Sequence, residues 1–288
     1  MDILIYGIVN SAILSLIAIG FSLVYGISRL PNFAHGALYI LTGYVSWRFL
    51  NQVGLNYGVA ILLALIITAL VGGAIYQFFL IRVRGMPSSE IIASFAIGLA
   101  IMEALRWGGF IGHTYVLPVF VKGTVDIAGV PVDWQRLLIF GGGMAVVVFL
   151  WLFTHHTKVG LALRSMAQDE RAAMMLGIDS DLIAVVAMAL GSALAGVAAV
   201  AILPLGNITV ETGYNVLVYA IAVCIIGGLG SWTGAVIGAF LLGFAQILTI
   251  VYVEARWQMV VIFFAIILTL ILRPSGLLGK QKELEERV

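Results

Sequence analysis

The sequence predicts an all-α fold, a polytopic transmembrane helical bundle of about eight to ten spans, and three observations carry that prediction. Of the 288 residues, 62% are hydrophobic and only 10% charged, against about 45–50% apolar and about 25% charged in soluble domains. Mean hydropathy is +1.13, and the apolar runs reach the ~20 residues needed to cross ~30 Å of hydrocarbon. The runs lack strict alternation. Backbone groups that must be satisfied inside lipid are therefore satisfied within helices and not in a closed barrel.

Taken in order, the runs place helices at about 3–28, 36–50, 56–80, 89–112, 137–155, 181–203, 215–229, 234–253 and 257–273. The opening stretch MDILIYGIVNSAIL carries an acid where a signal peptide is basic and continues apolar without a break, so it reads as a retained first span. The second run is short, and the glycine-rich junction 226–234 reads either as a turn between spans or as a re-entrant break. Counting nine spans puts Arg29, Arg82, Arg84, Lys158, Arg164, Arg171, Arg273, Lys280, Lys282 and Arg287 on one side. Arg48, Arg106, Lys122, Arg136 and Arg256 fall on the other. The richer side is cytoplasmic by the positive-inside rule, which sets the N-terminus outside and the C-terminus inside. The largest outer segment, Gly112 to Arg136, contains VFVKGTVDIAGVPVD, whose β-branched alternation and glycines predict a short hairpin.

Small residues recur at four-residue spacing in Gly230, Gly234 and Gly238 and in Gly191, Ala195 and Ala199, the pattern that lets transmembrane backbones approach closely. On the first helix Ser11, Ser15, Ala18 and Ser22, with Asn10 beside them, form a similar stripe. That stripe faces either a neighbouring helix or a polar path.

Several function classes are excluded. The net charge is +1 without a clustered basic face, which argues against a nucleic-acid partner. The single Cys224 provides neither a disulfide nor a thiolate metal site. GGLGSWTG, Gly227 to Gly234, has the wrong glycine spacing and lacks the Lys-Ser/Thr of a phosphate loop. His155 and His156 are adjacent and diverge on a helix, so they read as a solvated pair and not as metal ligands. Glu103 lies three residues from Arg106, which predicts a local ion pair and not a proton relay. With no nucleophile, base and orienter to assemble, the chain is not an enzyme.

One segment is unusually wet. GLALRSMAQDERAAMMLGIDSD, Gly160 to Asp181, lies between two apolar runs, and five charged side chains fall between Lys158 and Arg171. Asp169 and Glu170 favour a helix start, Gly177 is the expected left-handed terminator, and Asp179, Ser180 or Asp181 caps the next span. The prediction is a helix, a break, a short helix, a glycine stop and a new span. Such an amphipathic cytoplasmic element suits docking by a soluble partner; the plain alternative is a loop resting on headgroups.

GLALRSMAQDERAAMMLGID resembles the cytoplasmic coupling segment of the permease subunits of bacterial and archaeal ATP-binding-cassette (ABC) importers of the high-affinity branched-chain amino acid type. GFSLVYGISRLPNFAHGALYILTGYV, with Asn32-Phe33-Ala34-His35-Gly36, then IIGGLGSWTGAVIGAFLLGFAQ and RPSGLLG agree with that family in order along nearly the whole chain. The resemblance implies a single permease domain over 1–288 with a coupling segment at about 156–180, in a bacterial or archaeal cell (inner) membrane. It implies as partners two cytoplasmic ATP-binding subunits, a second and related permease subunit, an extracytoplasmic solute-binding protein and membrane lipid. No cofactor is expected in this chain, since ATP and Mg belong to the ATPase subunits. Coupling is carried over onto Arg164, Asp169, Ala173, Leu176, Gly177 and Ile178, with Ala173 and Leu176 expected to fill the ATPase cleft.

The Asn32 to Gly36 stretch reads as a non-helical break, tolerated in a membrane only where protein or water covers it. The translocation path is expected to involve Asn10, Ser15, Asn32, Phe33, His35, Gly36, Gly227 and Gly228. Ala37 and Gln246 stand where many relatives carry an acid, which leaves urea, short amides and other small polar solutes open beside a branched-chain amino acid. The competing class is a passive channel or ion-driven carrier.

Overall fold

The computed structural model describes residues 2–29, 31–109, 115–127, 129–206 and 208–279. Each apolar run closes into a helix: α1 (Asp2–Ser28), α2 (His35–Asn51), α3 (Tyr57–Phe78), α4 (Pro87–Trp107), α5 (Trp134–His156), α8 (Ser180–Ile202), α9 (Val210–Gly227), α10 (Trp232–Tyr252) and α11 (Gln258–Leu272). Two short helices, α6 (Lys158–Gln168) and α7 (Glu170–Met175), lie between α5 and α8. Among the described residues eight segments are long and apolar enough to cross a membrane, α11 reaching that length only with the 3-10 turn Ala255–Trp257 ahead of it, and α2, at 17 residues, is the ninth long helix. The fourth helix stops at Trp107, and its expected continuation to 112 passes beyond Gly109 out of the described residues, as do Lys280, Lys282 and Arg287. The α9 helix starts earlier than expected because Thr209 caps it, its hydroxyl accepting from Thr212 N.

The spans at the centre are α1 and α8, with 61% and 67% of their apolar windows buried, whereas α11, at 6%, lies on the rim. They cross at glycines: a Cβ on Gly20 would sit 2.8 Å from Gly191 O, and one on Gly191 would sit 3.0 Å from Gly20 O. The serine stripe of α1 faces a helix and not a path at Ser11, where a Cβ on Gly243 of α10 would lie 2.8 Å from Ser11 Cα. Ser11 and Ser15 spend their hydroxyls on the Gly7 and Ser11 carbonyls of their own helix. The 226–234 junction is a turn between antiparallel spans, since Gly227 and Gly234 lie backbone to backbone and a Cβ on Gly238 would sit 2.8 Å from Gly227 N.

The expected hairpin is present as β1 (Thr124–Ile127) paired antiparallel with β2 (Val130–Asp133). It stands at one end of the bundle, where Tyr6 donates to Pro131 O, Tyr57 to Pro118 O and Gln135 Nε2 to Ala201 O. The opposite end gathers the close of α1, the α3–α4 turn, α6, α7, the α9–α10 turn and the segment after α11. There Leu277 N and Leu278 N donate to the carbonyls of Ile226 and Gly227, each at 2.9 Å. These amides satisfy carbonyls that the end of a helix leaves open. The described members of the two groups of basic residues separate onto these two ends.

Candidate functional site

The first candidate region is the turn between α1 and α2. His35 Nε2 lies 3.1 Å from the carbonyl of Ile17, midway along α1. Gly98, midway along α4, is so close that a Cβ would sit 3.2 Å from Ala34 Cα. The turn therefore lies at mid-depth, and α2 is short because it begins inside the bundle. Three of its described amides are answered by protein: Asn32 Oδ1 accepts from Ala34 N at 3.0 Å, Asn32 O from His35 N at 3.1 Å, and Ser94 Oγ from Phe33 N at 3.3 Å. His35 is 1% exposed, meets Phe21 edge-on and leaves Nδ1 without a partner among the described residues. Gly36 lies against Gly213 O of α9 with no room for a side chain.

The path candidates fall in three places. Asn32 and Phe33 lie in the turn, Phe33 half-buried, His35 and Gly36 open α2, and Ser15 lies on α1 two residues before Ile17. Asn10 is higher on α1, its amide donating to Gln246 Oε1 at 2.7 Å and Gly243 O at 3.3 Å. Gly227 and Gly228 lie at the end of α9 under the 273–279 segment, where a Cβ on Gly276 would sit 2.6 Å from Gly228 Cα. Of the residues set aside earlier, Glu103 and Arg106 pair at 2.6 Å, and His155 and His156 are exposed, His155 stacked on Trp151.

The second region is the wet segment. Thr157 caps α6 by accepting from Gly160 N at 2.9 Å, and Gly160, Leu163 and Met166 form its buried face. Asp169 closes α6 and opens α7, accepting from Ala172 N at 3.0 Å. At the other end Ile178 N donates to Ala173 O at 3.2 Å and Gly177 N to Met174 O at 3.0 Å, with Gly177 at φ 84°. This is a Schellman termination, and its apolar contact is made by Ile178 and Ala173 over one cluster with Leu163, Met166 and Ile183. Asp179 then caps α8, accepting from Asp181 N and Leu182 N.

The expectation for Ala173 is corrected here. It is 2% exposed and turned into the protein's own core, because the Asp169 cap sets the phase of α7. Leu176 does face outward at 82% exposed, together with Met175 at 86%, a residue the sequence reading passed over. Arg164 and Ile178 are half-buried, and Asp169 and Gly177 are exposed. Arg84, taken from sequence only as a cytoplasmic charge, ion-pairs with both Glu170 and Asp181.

A Cβ at Gly177 would enter open space, so substitution there is opposed by backbone strain alone. Gly177→Asn is expected to be nearly neutral, since Asn tolerates the left-handed region. Gly177→Val is expected to destabilise the α7 end by about 1–2 kcal/mol, read as lost hydrogen-exchange protection at the Ile178 amide. Equal protection in both variants would contradict this account of the stop.

Residues 3–270 match the family model described as the permease component of branched-chain amino acid transport systems. The chain belongs to that family. It is 30% identical to the high-affinity branched-chain amino acid transport system permease protein BraD of Pseudomonas aeruginosa, over 96% of this chain and 95% of that one. It is likewise 30% identical to the corresponding permease protein LivH of Escherichia coli K12, over 95% and 94%. Among solved structures, PsaBC from Streptococcus pneumoniae in complex with Fab aligns with a TM-score of 0.52 over 100% of this chain and 96% of that one, at 13% identity, a likeness of fold. The permease is thus a multi-pass cell-membrane protein and a transport subunit of an ABC importer.

Proposed function

We propose that the permease forms the translocation path for a small polar solute, a branched-chain or related amino acid. On this reading an extracytoplasmic binding protein delivers the solute, a second permease chain completes the path, and two cytoplasmic subunits that bind ATP and Mg drive transport. The α6–α7 end of the bundle is cytoplasmic, in keeping with its seven described basic residues against five at the other end.

One observation carries the reading: Met175 and Leu176 project bare from a helix whose two ends are both locked. Soluble surfaces rarely expose adjacent large apolar side chains without a partner. The partner's movement would enter α8 directly, because only Gly177 to Asp179 separate the knob from that span, and α8 packs on α1, α2 and α3. The solute assignment rests on the two relatives, whose names give branched-chain amino acids.

The test is purification from native membranes followed by reconstitution with whatever co-purifies. An ATPase is expected, with ATP hydrolysis stimulated by the solute-loaded binding protein. The permease alone should hydrolyse no ATP. Full-rate solute movement by the isolated permease in liposomes would replace this reading with a passive channel.

A further inference from the structure

Arg84 stands in the α3–α4 turn, where the chain passes through a 3-10 segment, Leu80–Arg82, and reverses at Gly85 with φ 83°. One guanidinium nitrogen meets Glu170, the first residue of α7, and the other meets Asp181 in the first turn of α8. The second nitrogen also donates to Ser180 Oγ at 3.0 Å. The turn that carries Arg84 is itself held, because Glu90, 8% exposed, accepts from Gly85 N at 2.7 Å. Three elements therefore converge on one side chain: the α3–α4 turn, the start of α7 and the start of α8.

Strength is not what this cluster adds. The three side chains are 32%, 38% and 47% exposed, and exposed ion pairs contribute about 0.2–1 kcal/mol each. A planar guanidinium adds direction, since its donors form a rigid fork that a lysine ammonium cannot reproduce. The caps at the two ends of α7 close its backbone, but they leave its angle to α8 to little else: Ala173 is its one buried residue among those described, and Gly177, at its end, is the joint with α8.

We propose that Arg84 is a positioning residue for coupling, holding α7 at a set angle to α8 and tying both to the α3–α4 turn. A push on Met175 and Leu176 then reaches α3, α4 and α8 together and is not absorbed at Gly177. This rests on the coupling reading of the preceding section.

The experiment uses the complex with its ATPase subunits, reconstituted with solute and binding protein. Arg84→Gln is expected to leave membrane abundance, ATPase co-purification and basal ATP hydrolysis unchanged. Solute-stimulated hydrolysis and the solute moved per ATP should fall several-fold. Arg84→Lys should recover an intermediate ratio by restoring a single arm. Glu170→Ala, which removes the α7 arm and leaves Arg84 on Asp181, should lower the ratio as Arg84→Gln does. It decides the matter should Arg84→Gln reduce abundance. A wild-type ratio in Arg84→Gln, or in Glu170→Ala where that variant decides, overturns the proposal. A wild-type permease that brings down no ATPase overturns the importer reading, and this inference with it, and is a separate result.

Discussion

Replacing Met175 and Leu176 together by glutamate is expected to abolish both ATPase co-purification and solute uptake while the permease inserts at wild-type abundance. Both side chains are almost fully exposed, at 86% and 82%, so nothing in the chain's own fold depends on them. Burying such a side chain contributes about 1.5–3 kcal/mol, so losing two removes about 3–6 kcal/mol of docking energy. At about 1.4 kcal/mol per tenfold, that is roughly two to four decades in affinity. An unpaired carboxylate forced into an apolar cleft adds a desolvation cost to the loss. Wild-type co-purification in the double variant would show that α7 is not the docking element. Ala173→Asp is a poorer probe, because its charge would enter the permease's own core.

Gly36→Ala is expected to lower stability by about 1–3 kcal/mol, toward the upper end of what overpacking costs. The added methyl would strike the carbonyl of Gly213 and lie 2.9 Å from its carbon and 3.2 Å from Leu217 Cβ, so it meets backbone that cannot rotate away. The approach is reciprocal, since a Cβ on Gly213 would lie 3.0 Å from Gly36 O and 2.7 Å from the Met102 methyl. With domain stabilities of about 5–15 kcal/mol, the variant should melt well below wild type in detergent and accumulate poorly. Gly141→Ala, which meets nothing within 4 Å, is the control and should melt no lower than wild type. Equal melting of the two variants would refute the packing account of the α2 start.

Much of this fold is written in local chemistry. Apolar runs long enough to span lipid locate the long helices, and Asp169, Gly177 and Asp179 mark the breaks around α7, because capping and left-handed turns depend on near neighbours. The hairpin before Trp134 is legible for the same reason. What escapes a reading along the chain is depth, phase and distant pairing. Hydropathy does not reveal that Asn32 to His35 sit at the level of Ile17 and Gly98. Six residues of α7 contain too little periodicity to show that Ala173 points inward and Met175 outward. Arg84 and its two carboxylates are 86 and 97 positions apart, beyond any motif. The path candidates, gathered from the α1 stripe and the Asn32 to Gly36 break as well as by resemblance, occupy three separate places in the fold.

The mid-depth seat of the α1–α2 turn bears on how the chain enters the membrane as it is made. When only α1 and α2 have left the ribosome, the turn cannot take its final depth in lipid, because each buried amide without a partner costs several kcal/mol there. Ser94, which receives the Phe33 amide, and Gly98, which makes room for Ala34, belong to α4. Leu194, packed with Gly191 beside His35 at Gly20, belongs to α8, nearly 160 residues after the turn. Until those spans arrive the Phe33 amide has no acceptor and Ala34 no seat, so a segment among the first to be synthesised depends for its depth on spans made later.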